Sequence, residues 1–181
     1  MPHIEITAEL PGILGLFAFR AETAQPLRAL SETLLRGSST LSAAEREIIA
    51  AHVSRLNDCE FCFKSHAAAA AALLGAGAEF IERFSNQTLT SVISPKLAAL
   101  LAVASEVQRG GKAVSADSIE RARAASATDV EIHDTVLIAA AFCMFNRYVD
   151  GLGTWAPSSN EAYLPMGKRL AEHGYVEDTR S

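Results

Sequence analysis

A chain of 181 residues can bury a core without disulfides or a structural metal, and it suits one domain over residues 1–181 with an N-terminal arm over about 1–24. Its hydrophobic content is 49% with aromatics only 7%, so alanine and leucine carry the apolar surface and an all-α fold is expected. A formal charge of −5, with no stripe of lysine and arginine interleaved with aromatics, speaks against nucleic acid as a partner.

The opening residues lack a basic segment followed by an apolar one, and the first acidic residue is already Glu5, so a cytoplasmic protein is expected. The apolar runs Ala67 to Leu74 and Val136 to Phe145 fall far short of the ~20 residues of a spanning helix, so no membrane partner is expected. Three cysteines, two of them in one Cys-x-x-Cys, make a poor disulfide framework and fit a reducing compartment.

In chain order, Leu10-Pro11-Gly12 and Gly15 break any early helix and leave a packed arm carrying Leu16, Phe17 and Phe19. A first helix is expected from Pro26 to Leu35, stopped by Gly37. Ser42 and Glu45 form a capping box, in which each side chain satisfies a backbone donor at a helix start, so a helix begins at Ala43 and ends by Asn57-Asp58. Asp58 is expected to cap the next helix, which holds the cysteines, runs through Ala67 to Ala72 and stops at Gly75 or Gly77. A short helix follows around Glu79 to Phe84, and Ser94-Pro95 opens another that Gly110-Gly111 closes. Asp117 to Ala125 reads as an exposed helix, Thr128 and Glu131 as a second capping box opening a long apolar helix to about Val149, and Ser159 to His173 as a last amphipathic helix. No stretch alternates long enough to build a sheet.

Chemistry concentrates in Glu47, Cys59, Cys62 and His66. If the two helices fold back antiparallel near Asn57, Glu47 and His66 come level across the hairpin, each about 14 Å from the turn at ~1.5 Å rise per residue. Cys59, Cys62 and His66 fall at one-turn steps on a single helical face. Peroxide reduction needs a thiolate, a proton for the leaving oxygen and a second thiol to resolve the sulfenic acid. Cys62 beside His66 is the candidate peroxidatic thiol, His66 the base, Glu47 its orienting partner and Cys59 the resolving thiol. The partial positive charge of the helix N-terminus favours the thiolate, and Glu60 works against it.

An alternative is a non-catalytic zinc-binding or redox-sensing helical protein, in which the cysteines, His66 and either Glu47 or His52 complete a ligand set; structural zinc sites, however, usually draw on loop-rich modules. No cofactor and no metal are expected on the favoured reading. Cys143 lies in an apolar run and reads as a core thiol, His52 and His133 as surface or satisfied core histidines, Trp155 and Tyr163 as anchors or pocket walls, and Lys64 and Glu60 as solvated. Alanine-rich helices such as Ala67 to Leu74 and Leu97 to Ala104 present more apolar surface than one small bundle covers, which points to a homo-oligomer.

The pattern Glu-x11-Cys-x2-Cys-x3-His, Glu47 to His66, resembles the signature of alkylhydroperoxidase D. The Leu-Pro-Gly arm at Leu10 to Phe19 and the Asn-Arg-x-x-Asp-Gly-Leu-Gly segment, Asn146 to Gly153, are similar to those of peroxidase-related enzymes in the carboxymuconolactone decarboxylase-like family. That resemblance implies an alkylhydroperoxidase D-like helical bundle with the redox cysteines at the start of a central helix, in trimers or hexamers. It also implies antioxidant defence by hydroperoxide reduction through a Cys59-Cys62 disulfide, with a thiol or lipoyl-type reductant as electron donor. Alkylhydroperoxidase D carries a histidine where this chain has Phe61, and true carboxymuconolactone decarboxylases lack the cysteine pair.

Overall fold

A computed structural model of the chain describes residues 2–6, 9–88 and 93–176, and these are all-helical, without a strand. The helices are α1 (Ile13–Phe19), α2 (Ala21–Arg36), α3 (Ala43–Leu56), α4 (Glu60–Leu73), α5 (Ala78–Ser85), α6 (Pro95–Arg109), α7 (Ala116–Ala124), α8 (Asp129–Gly151) and α9 (Leu164–His173), with 3-10 turns at Gly111–Ala113 and Glu161–Tyr163.

Both capping boxes form. The Ser42 hydroxyl accepts from the Glu45 backbone N–H and the Glu45 carboxylate accepts from that of Ser42, and Thr128 and Glu131 repeat the exchange at the head of α8. Ser94 caps α6 with Pro95 in its first turn. Local chemistry within four residues therefore starts the three longest core elements besides α4 and α2.

Tertiary packing overrides the local signal elsewhere. The arm is helical over Ile13–Phe19, and α2 starts at Ala21 with Pro26 inside it, because Ala24 and Leu34 bury their side chains on the same helix. Pro26 forgoes one backbone hydrogen bond in the second turn, a cost that this burial offsets. The last helix begins later than its amphipathic pattern suggests. Pro165 has no N–H to offer the carbonyl of Glu161, so Glu161–Tyr163 close as a 3-10 turn before α9. Asp58 does not cap α4. It takes the left-handed conformation, φ 56°, that reverses the chain, and Cys59 becomes the N-cap.

The α3–α4 hairpin and α8 form the centre. Ile48, Ile49, Val53, Leu100, Ile138 and Phe142 meet there with no more than 1% of their surface exposed, each worth roughly 1.5–3 kcal/mol in transfer free energy. The alanine run Ala67–Ala71 is not a free apolar surface. It is buried in the chain, because small side chains let α9 approach α4 closely. A Cβ on Gly167 of α9 would stand 2.5 Å from the Ala68 carbonyl carbon, so only glycine permits this crossing. Leu97, Leu100, Val103 and Ala104 of α6 are likewise buried. The exposed large apolar side chains sit instead on α8, at Val130, Leu137 and Met144, and at Leu10, Phe19, Leu74, Trp155 and Val176. Among the described residues no helix is long and apolar enough to cross a membrane.

Candidate active site

The hairpin brings Glu47 of α3 level with His66 of α4, as the equal arm lengths require. Glu47 is wholly buried, and its Oε2 accepts from His66 Nδ1 at 2.7 Å. Its other oxygen, Oε1, receives two donors that no local spacing announces: Arg36 Nη2 at the end of α2, at 2.6 Å, and the Tyr175 hydroxyl just after α9, at 2.6 Å. The Tyr175 oxygen also lies 3.2 Å from His66 Nδ1, and its ring stacks on the imidazole at 14° with centroids 6.0 Å apart. Phe142 of α8 closes the other side of His66, edge-on at 4.5 Å.

Electrostatics follow from this geometry. Burial alone would raise the Glu47 carboxyl, but the His66 ring, the Arg36 guanidinium and the Tyr175 hydroxyl more than offset it and hold the group below the usual carboxylate range. Burial draws the Arg36 guanidinium down, and the Glu47 carboxylate outweighs that and raises it. Tyr175 is pushed well above its ordinary value by burial and then by the adjacent Glu47 charge, so it stays a neutral donor. Because a carboxylate only accepts, Nδ1 carries the proton of neutral His66 and Nε2 is the acceptor. Among the described residues Nε2 has no hydrogen-bond partner.

Cys59 occupies the N-cap of α4 in an extended conformation, without a side-chain capping bond, and Cys62 lies in the first turn, one turn before His66. Both are buried free thiols. The interaction with Cys62, followed by burial, pushes the Cys59 thiol far above its ordinary value, which keeps the proton on Cys59. The Asp150 carboxyl near the end of α8 reaches Cys59. Burial raises it, and its bond to the thiol works in the opposite direction. Tyr163, wholly buried with its hydroxyl donated to the Pro157 carbonyl at 3.0 Å, is pushed well above its ordinary value by burial, then by Glu60 and the two cysteines.

A cavity of about 880 Å³ opens beside the relay, walled by Leu14, Phe17, Met166 and Tyr175 and floored by Phe61, Ser65 and His66. At about 100° per residue, Cys62 falls between Ser65 and His66 on that helical face, beneath the floor rather than in it. No hydrogen bond joins either sulfur to His66 among the described residues.

Behind the sulfurs, an amide network ties the turn to α8. Asn57 Nδ2 donates to Asn146 Oδ1 at 2.8 Å, Asn146 Nδ2 to the Ser54 hydroxyl at 3.0 Å, and Gln108 Nε2 to Asn57 Oδ1 at 2.9 Å. The Cys59 N–H meets the Ser54 carbonyl at 3.0 Å. Arg36, Tyr175, Asp150 and Asn57 were not singled out from the sequence. Asp150 and Asn146 do belong to the Asn-Arg-x-x-Asp segment.

The remaining candidates take structural places. His52 Nε2 pairs with the Ser105 hydroxyl at 2.8 Å, His133 is exposed beside Asp134, and Cys143 is half-buried and receives Asn57 Nδ2 at 3.6 Å. Lys64 is not solvated. It bonds Glu60 at 2.6 Å and the Ser158 carbonyl at 3.1 Å and lies over the Tyr163 ring, docking the loop before α9. Trp155 is exposed. Among the described residues, no three His, Cys, Asp or Glu side chains are grouped so as to hold a metal ion, and both Glu47 oxygens are already engaged.

Residues 21–106 match the model of the carboxymuconolactone decarboxylase family. No curated protein matches the chain. Among solved structures, an uncharacterized peroxidase-related protein from a Silicibacter species aligns with a TM-score of 0.72 at 25% identity, over 83% of this chain and 78% of that one. An uncharacterized peroxidase-related protein from Ralstonia eutropha, described as an alkylhydroperoxidase D core, aligns with a TM-score of 0.73 at 23% identity, over 88% and 82%. A protein of unknown function from Agrobacterium tumefaciens, described as a candidate antioxidant defence protein of the alkylhydroperoxidase D kind, aligns with a TM-score of 0.67 at 22% identity, over 82% and 99%.

Proposed function

We propose that this chain, whose residues 21–106 match the carboxymuconolactone decarboxylase family and whose fold is that of peroxidase-related proteins, is a thiol peroxidase that reduces hydroperoxides. The observation that carries this is the 2.7 Å bond from His66 Nδ1 to the buried Glu47 carboxylate, on the helix face that bears Cys62 one turn earlier. It leaves Nε2 as the acceptor and sets a base beside a thiol at a helix N-terminus.

In the proposed cycle His66 takes the Cys62 proton, and the thiolate attacks the distal peroxide oxygen. An S–O bond forms, the O–O bond breaks, and the alcohol departs with the proton from His66. Cys62 is then a sulfenic acid. Cys59 attacks it, an S–S bond forms and water leaves. A thiol or lipoyl-type dithiol supplies two electrons to restore both thiols. The Cys59 proton, retained at rest, is surrendered only in this second step, next to Asp150. Antioxidant defence in the cytoplasm, as a homo-oligomer, belongs to the same proposal.

The test is peptide-resolved thiol mapping after stoichiometric organic hydroperoxide. Wild-type protein should lose the Cys59 and Cys62 thiols together and keep Cys143. Cys59→Ser should turn over once and leave a trappable sulfenic acid at Cys62, while Cys62→Ser should consume no peroxide. Retention of the first turnover in Cys62→Ser and its loss in Cys59→Ser would reverse the two roles.

A further inference from the structure

Just after α9 the chain sets Tyr175 against the Glu47–His66 pair. Gly174, at φ 69°, terminates α9 in a conformation that side chains avoid, and a Cβ there would stand 2.4 Å from Glu32 Oε2. The next backbone N–H, that of Tyr175, donates to the same Glu32 oxygen at 2.6 Å. This anchor delivers the phenol between Arg36, whose guanidinium carbon lies 5.2 Å from the ring centroid, and His66, on which the ring stacks. Tyr175 therefore touches two of the four residues of the proposed site and walls the cavity that leads to it.

The geometry points to Tyr175 as a positioning residue for the His66 base: its hydroxyl, with Arg36, occupies Glu47 Oε1, so that Oε2 is left to hold His66 Nδ1 and Nε2 remains the acceptor of the ring. Resting on the thiol peroxidase proposal, this names a fifth member of that site, contributed by a segment distant in sequence from the hairpin.

The effect of Tyr175 on the relay has a definite sign. A donor on Oε1 draws charge away from the carboxylate and so weakens its pull on the His66 proton. Removing the hydroxyl leaves Glu47 a stronger acceptor and His66 a better proton holder, so more acid must be neutralised before Nε2 is free. The charged and titratable groups facing the relay include Arg36 and Glu32 from α2, Glu47 and Arg46 from α3, Cys62 from α4 and Tyr175 itself. Arg28 and Arg169 stand at the cavity, and α8 offers only the uncharged Phe142.

The experiment measures the pH dependence of Cys62 alkylation, resolved by peptide, together with the pH dependence of hydroperoxide consumption, in wild type, Tyr175→Phe and Gly174→Ala. Tyr175→Phe keeps the stacked ring and loses only the hydroxyl. Its acid limb should move up by about half to one pH unit, a three- to tenfold loss of rate at a fixed pH on that limb. Gly174→Ala strains the turn at φ 69° and crowds Glu32, which loosens the segment without removing a charge from the relay, and should move the limb the same way by less. A purely structural role would lower the urea midpoint of Tyr175→Phe and leave both pH profiles where they were, and that result overturns the inference. A shifted alkylation profile in a protein that consumes no hydroperoxide would sustain the positioning role and reject the peroxidase. Should Tyr175→Phe fail to fold, an unmoved profile in Gly174→Ala overturns the inference equally.

Discussion

Replacing Glu47 by glutamine should unfold the site from within. The carboxylate has no exposed surface and is the counter-charge of Arg36, whose side chain is only 13% exposed. Glutamine keeps the shape, removes the charge and brings two N–H donors to a place where every neighbour is already a donor. Breaking a buried pair by neutralising one partner costs about 3–5 kcal/mol. Arg36 retains bonds to the Leu35 carbonyl at 2.8 Å and the Leu170 carbonyl at 3.0 Å, which puts the loss at the lower end, about 3 kcal/mol. For a chain of this length that is a fall in Tm of about 6–12 °C. The double variant Arg36→Met with Glu47→Gln should recover at least half of it, since the orphaned charge is gone. Acid carries a second signature. The Glu47 carboxyl is held below its unfolded value, so its contribution is complete above about pH 4.3 and is lost as pH falls through the folded value. The gap between wild type and Glu47→Gln should therefore narrow in urea titrations below about pH 4. A loss under ~1 kcal/mol at pH 7, or strictly additive losses in the double variant, would refute the description of Glu47 as the charge that holds α2, α4 and the segment after α9 together.

Two further outcomes can be measured. His52 is lowered to about 4 by burial and then by the Arg55 charge, so stability tied to its neutral form is complete above about pH 6.5 and falls away toward pH 4 by at most about 3 kcal/mol. His52→Gln, which can still bond Ser105, should flatten the urea midpoint across that window, and an unchanged slope would contradict the buried neutral imidazole. Gly167→Val forces a branched side chain into the Ala68 backbone at the α4–α9 crossing and should cost at least about 1–3 kcal/mol by denaturant titration; a neutral substitution there would mean that the helices are not so closely apposed.

The legible part of the molecule was the part whose physics is local. A capping box closes over three residues, and a hairpin of two regular helices has a fixed rise, so the starts of α3 and α8 and the meeting of Glu47 with His66 could be read from spacing alone. Arg36 and Tyr175 could not be read this way. Their approach to Glu47 depends on how α2 and α9 dock, which rests on Ala68 against Gly167 and on Glu32 against Gly174, contacts with no periodic signal. The alanine run misled for a related reason. Apolarity on every side of a short helix reads equally as surface awaiting another copy or as a centre packed by its own chain, and here α3 and α9 cover it. Pro26 shows the converse, a strong local punctuation overruled because burial upstream outweighs one missing hydrogen bond.

On the proposed chemistry, Cys62 stands between two proton systems that work in opposite senses. On one side Cys59 keeps its proton, raised by its contact with Cys62 and by burial, with the Asp150 carboxyl beside it. On the other, Nε2 of His66 has no hydrogen-bond partner among the described residues, and the ring is fixed in that tautomer by a carboxylate that three donors hold charged. In the proposed cycle a proton leaving Cys62 is received by His66, while Cys59 keeps its own until the second step. Phe61 lines the cavity and neither cysteine does, so the approach to the thiols from that side is apolar. Selectivity for the peroxide would then come from what can pass that ring, and the proton chemistry from the buried side of His66, two functions that separate residues carry and separate substitutions can take apart.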